Sequence, residues 1–278
     1  MNAYTALRIA TGLALAIGWM PQARAFSGCT NNSLNGTYGL QFSGALTPGA
    51  SSGVGGATTP DKVRSLMSAE VPGTVNIAAG FARLYLDGGG NLFGNAALTV
   101  NGSWSEGPMS GSYNVNDDCT ASITLTDSSG GTQSFDGVVV NRGDGAVLRQ
   151  TDKGVAVSGS MSRARNSCQS SDIGGNFGFR TGGTILNSGP FTSIGTLYLD
   201  GDGNVTVSES RFSGGVSAQV ASTGTITVSL DCTVTLSLAA TADGSLATYR
   251  GILVNNLKEL LLVRADDGTT VTGDMMVQ

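Results

Sequence analysis

Two stretches of this chain alternate apolar and polar residues with a period of two. Cys232, Val234, Leu236 and Leu238 fall on one side of such a stretch, and Thr233, Thr235 and Ser237 on the other. Cys119, Ala121, Ile123 and Leu125 stand in the same way against Thr120, Ser122 and Thr124. Alternation of this kind marks strands with one buried and one wet face. In the C-terminal half, strand-like runs begin near Gly175, Ser193, Asn204, Ser217, Thr223, Cys232, Tyr249 and Leu260, and Thr270 opens a last one. The Ser217 and Thr223 runs can join as one bent strand, which leaves about eight. Turn residues separate the runs and no helical period lies between them, so the pattern predicts an antiparallel meander. About eight such strands close most economically into an up-and-down barrel, which has no open edge. A two-sheet sandwich is the alternative.

The N-terminal half carries the same motifs in the same order. LYLDGGGN at Leu84 matches LYLDGDGN at Leu197, and CTNNSLNGTYGLQFSG at Cys29 faces CQSSDIGGNFGFRTGG at Cys168. DCTASITL at Asp118 faces DCTVTLSL at Asp231, and FDGVVVN at Phe135 faces YRGILVN at Tyr249. The chain reads as two tandem barrels, one over residues 26–163 and one over 164–278. Cys29 and Cys168 lie 139 apart but Cys119 and Cys232 only 113, so the first copy holds 26 extra residues. They fall around 45–75, where TTPDKVRSLMSAEVPG reads as one short helix capped by Thr59. Val63, Leu66 and Met67 make an apolar stripe on it. The stripe fits a lid over the barrel mouth, and the segment fits a plain surface loop equally well.

Residues 1–25 read as a secretory signal peptide. Arg8 precedes an apolar run from Ile9 to Met20, and Ala23-Arg24-Ala25 has the small-x-small form of a cleavage site. Removing them takes two arginines and no acid, so 13 basic residues then face 20 acidic ones, a formal charge of −7. An acidic, sparsely charged chain is a poor partner for nucleic acid or anionic lipid. The chain has no histidine. That removes Ser-His-Asp and Cys-His catalysis, the usual histidine metal sites and any histidine pH switch. The acids sit mostly in turns, and Glu106 and Glu209 have no partner visible in the sequence. No catalytic pair is nominated, no cofactor is implied, and the residues point away from an enzyme.

Four cysteines allow three pairings. One per copy precedes the first strand and one lies on the inward face of the DCT strand, which favours Cys29–Cys119 and Cys168–Cys232. Asp200, Asp202 and Asn204 match the opening of a calcium loop, but Arg211 stands where the bidentate Glu belongs, and an Asp-Gly hairpin turn explains the residues better. Arg142-Gly143-Asp144 matches an integrin-binding tripeptide by composition and a turn by context. Asn31, Asn35, Asn101 and Asn204 begin glycosylation sequons, of use only in a glycosylating host. Sixteen alternating strands after an export signal also suit an outer-membrane barrel. Only 6% aromatics and polar outward faces speak against it.

The motifs G-T-Y at Gly36, L-D-G-x-G-N at Leu86 and Leu199, D-C-T at Asp118 and Asp231 and a closing S-G-x-x-S resemble a β-domain of secreted bacterial proteins. That resemblance covers nearly the whole chain after residue 25 and implies export but no activity. More distantly, Gly36-Thr37-Tyr38 and Gly175-Asn176-Phe177 are similar to the opening G-x-W of calycin barrels, the lipocalins and avidins. That similarity implies a barrel able to hold a small, largely apolar ligand. The leading expectation is therefore a secreted, non-enzymatic binding protein with such a ligand in its lumen and the insertion as lid. The alternatives are a structural or cell-surface interaction module with filled barrels, and an outer-membrane-associated barrel.

Overall fold

The computed structural model describes residues 28–47 and 75–278. These fold into two closed antiparallel barrels of eight strands each. The first comprises β1 (Asn35–Leu46), β2 (Asn76–Asp87), β3 (Asn91–Val100), β4 (Ser103–Val115), β5 (Thr120–Asp127), β6 (Thr132–Val140), β7 (Gly145–Gln150) and β8 (Val155–Arg163). The second comprises β9 (Gly175–Ile185), β10 (Gly189–Leu199), β11 (Asn204–Ser213), β12 (Val216–Val228), β13 (Thr233–Ala240), β14 (Leu246–Val254), β15 (Glu259–Arg264) and β16 (Thr269–Val277). The runs at Ser217 and Thr223 are one continuous strand, β12. The signal-peptide segment and the expected lid residues Val63, Leu66 and Met67 lie outside the described residues.

Each strand pairs with its neighbours in sequence, and β1–β8 and β9–β16 pairings close the rings. Following the registers once round either barrel returns to the starting strand ten residues further along. Strand number and stagger together set the tilt and width of a barrel, so the two have the same frame. Alternation then sends one residue in two into the lumen. Leu40, Leu84, Leu86, Leu92, Ile123, Leu125 and Met161 fill the first barrel; Leu197, Leu199, Val205, Val207, Leu236 and Met275 fill the second.

One end of each barrel, its floor, carries the L-D-G-x-G-N turns. There Asp87 accepts from the amides of Gly89 (2.7 Å) and Asn91 (2.9 Å) and from the Asn91 side chain (2.7 Å). Asp200 repeats this with Asp202, Asn204 and the Asn204 side chain. Gly88, Gly90, Gly201 and Gly203 all take positive φ there. The disulfides Cys29–Cys119 and Cys168–Cys232 close each floor. Each closes a long loop and stabilises its barrel by roughly 4 kcal/mol.

The barrels pack side by side. Ala79, Phe81 and Ala97 of the first meet Ile252, Val254, Leu261 and Val263 of the second in one buried cluster. Gln41 reaches across, its side-chain nitrogen donating to the carbonyls of Leu262 and Gly273, both at 2.8 Å. Arg83 donates to the Asp231 carbonyl (2.6 Å), and Thr99 to that of Thr269 (2.8 Å). Gly39 lets the sheets approach: a Cβ there would lie 2.5 Å from Val254 and 2.7 Å from Ile252.

Candidate functional site

Three places could carry function: the lumens, the barrel mouths and the outer faces. The lower lumens are occupied by the chain's own side chains. At the floor of the first, Tyr38 is fully buried and donates its hydroxyl proton to the Gly143 carbonyl (2.6 Å), while Arg163 donates to the hydroxyl (2.8 Å). Burial pushes the Tyr38 phenol up to about 12, outweighing the pull of Arg163. The second barrel has Phe177 at this place, buried in its core.

The same contacts dispose of the Arg-Gly-Asp tripeptide. Asp144 is bound to Arg163 at 2.8 Å, and Gly143 is buried against the Ser33 backbone. The tripeptide is a tight turn in which Asn141 and Arg142 both have positive φ, as Asn255 and Asn256 do in the second barrel. The calcium candidates Asp200, Asp202 and Asn204 do come together, but as the hairpin turn described above. Both Asp200 oxygens are taken by the loop's own donors, and those bonds, led by that from the Asn204 side chain, hold the Asp200 carboxyl below the usual range. Asp87 is held down in the same way by Asn91.

The mouths differ. In the second barrel the inward positions near the open end carry Thr181, Ser193, Glu209, Arg211, Ser222, Tyr249 and Arg264. Glu209 is 3% exposed and ion-paired with Arg211. Arg264 pairs with Asp266 at 2.7 Å. Both guanidinium groups lie over the Phe191 ring, Arg211 at 6.0 Å and Arg264 at 5.7 Å from its centre. Thr181 and Ser193 share a hydrogen bond of 2.8 Å. The Arg211 Nε is buried without a partner. Burial first, and then Glu209, hold the Tyr249 phenol above its ordinary range, against the pull of Arg264. The corresponding positions of the first barrel hold Phe42, Gly80, Ala96, Leu98, Met109, Phe135 and Gln150, an almost wholly apolar layer.

Neither Glu106 nor Glu209 shows its partner in the sequence. Glu106 meets Arg250 of the other barrel at 3.0 Å, a contact no local pattern announces. Glu209 was legible: Val205, Val207, Glu209 and Arg211 share the inward parity of one strand.

The outer faces carry clefts. One of about 590 Å³ crosses β5, β6 and β7, where Val138 and Val147 stand half exposed between Asp136 and Arg149. One of about 540 Å³ lies on β9, β10 and β16 beside Gln41 of the first barrel, bordered by Arg180, Ile194 and Asp274. Clefts of about 380 and 330 Å³ lie along the seam between the barrels. Among the described residues no three Cys, Asp or Glu side chains converge as metal ligands. No family model matches the chain, and no curated protein matches it.

Two disulfides belong to an oxidising compartment, extracellular or periplasmic. Among the described residues no helix is long and apolar enough to cross a membrane.

Proposed function

We propose that the protein is a secreted, non-enzymatic surface-interaction module that recognises partners through the outer faces of two filled barrels. In this reading residues 1–25 direct export and are then removed. The observation that carries it is the filling of both lumens by one apolar cluster each, while the large clefts lie outside. An eight-stranded barrel is just wide enough either to be filled by its own side chains or to hold one small ligand, and the packing supports the former. Native mass spectrometry of the oxidised protein from its own host, before and after organic extraction, tests this. The expected mass is that of the bare chain less four hydrogens. A small molecule released by extraction would sink the reading.

A second reading has one specific observation behind it. The charged layer at the second mouth is unnecessary for closing a barrel, since the first closes without it. A small ligand with acceptor groups could engage Arg211, Tyr249 and the hydroxyls there. Replacing Glu209 and Arg211 with the first barrel's Ala and Leu would then abolish the extracted mass, and would leave a surface-interaction role intact.

A further inference from the structure

The seam between the barrels is made by two unlike faces. The first barrel contributes β1, β2 and β3, with Phe81 as its knob. The second contributes β14, β15 and β16, with Ile252, Leu261 and Val263 as the bed. Because the barrels share strand order and stagger, each also owns a counterpart of the face its neighbour uses. Among the described residues those two counterparts have no facing element.

In the second barrel, Ile194 on β10 stands where Phe81 stands on β2, and it is 66% exposed. In the first barrel, Val138 and Val147 stand where Ile252 and Leu261 stand, 45% and 50% exposed, beside the 590 Å³ cleft. The arginine of each free face is already paired, Arg149 with Asp136 on the same face and Arg180 on β9 with Asp274 on the adjoining β16, so neither face brings an unpaired charge. A glycine supplies an independent sign. Gly39 is glycine because β14 packs on it. Its counterpart Gly178 takes an ordinary φ, and a Cβ there would meet only the tip of Gln278 at 3.7 Å. Among the described residues nothing requires glycine at 178, and a strand glycine there leaves room for side chains of a second surface, as Gly39 does for those of Val254 and Ile252.

We propose that copies of this chain associate head to tail, the β9–β11 face of one seating on the β6–β8 face of the next in repetition of the internal seam. The inference rests on the reading of the outer faces as recognition surfaces and names their partner as a second copy. A contact between unlike faces does not consume itself, so it grows into rings or open filaments.

Sedimentation velocity on the oxidised protein at rising concentration tests it. The weight-average mass should climb past that of one chain. Ile194→Arg and Val147→Arg change exposed side chains and should each give monomers. Mixed in equal amounts, they should form pairs that grow no further, since each supplies the face the other has lost. A wild-type monomer at every concentration overturns the proposal, as does wild-type growth with no pairing in the mixture. A monomer that still binds its host's surface through Val138 and Val147 would remove self-association and leave the interaction reading standing. An extracted small molecule would remove the reading itself.

Discussion

The two barrels share strand number, stagger and a disulfide-closed floor with the same aspartate turn, and they part company most at the mouth. Where the first packs Ala96, Leu98 and Phe135, the second holds buried Glu209 and Tyr249 with a half-buried Arg211. The first shows that apolar side chains suffice to finish such a barrel. Removing paired charges from water costs several kcal/mol per ion before their attraction returns it. The charged layer is therefore a departure that the frame does not demand. The first mouth differs in another respect, since its β1–β2 connection carries the 26 additional residues found in the sequence.

The largest effect tests whether the floors are equivalent. Removing Cys29 and Cys119 together, or Cys168 and Cys232 together, should cost roughly 4 kcal/mol in urea unfolding, and the two losses should agree within about 0.5 kcal/mol. A much smaller loss for either pair would mean that its barrel leans on other contacts.

The next effect separates the mouths. Glu209→Ala alone strands Arg211 and should destabilise by roughly 3 kcal/mol. Adding Arg211→Leu recreates the first barrel's pair and should recover the loss or exceed it. If the double variant is no better than the single one, the layer packs in a way the first barrel cannot mimic.

Alkali distinguishes the floors. A free tyrosine ionises near pH 10, whereas Tyr38 holds its proton to about 12. The unfolded chain releases that proton first, so the contribution is complete below pH 10 and is lost as pH rises from 10 through 12. The loss is on the order of 2 kcal/mol. Tyr38→Phe should flatten this part of the stability profile, leaving the slopes due to Tyr113 and Tyr249, which are also raised by burial.

The smallest effects compare the glycines. Gly39→Ala should cost roughly 1–3 kcal/mol by forcing the seam apart. Gly178→Ala should change stability by less than about 1 kcal/mol, and favourably if at all. Equal costs would mean that position 178 is constrained within its own barrel.

Much of this architecture is legible along the chain. The period of two in the D-C-T strands marks which of their residues enter the lumens, and one cysteine before each first strand with one on each inward face favours the pairing found. The alternation also exposes Glu209 and Arg211 as inward, because they continue the parity of Val205 and Val207. What one strand cannot announce is the company it keeps across the sheet. Phe191 under two arginines depends on the register of β10, β11 and β15. The seam depends on which outward residues of two barrels meet, and Phe81 and Ile194 look alike in sequence although one is buried and the other bare. The half-exposed Val138 and Val147 likewise share strands with polar outward neighbours, so nothing local marks their face as a surface for docking.

The disulfides have a mechanical consequence. They join residues 90 and 64 positions apart. A chain drawn taut yields at most about 3.4 Å per residue, so roughly 300 Å and 220 Å of contour are locked away from any pull on its ends. A tethered protein dragged by flow would therefore stretch to well under half the length its residue count allows, with β1–β4 and β9–β12 shielded inside the closed loops. Reduction would release that slack, so the redox state of the surroundings sets how far this molecule can give under load.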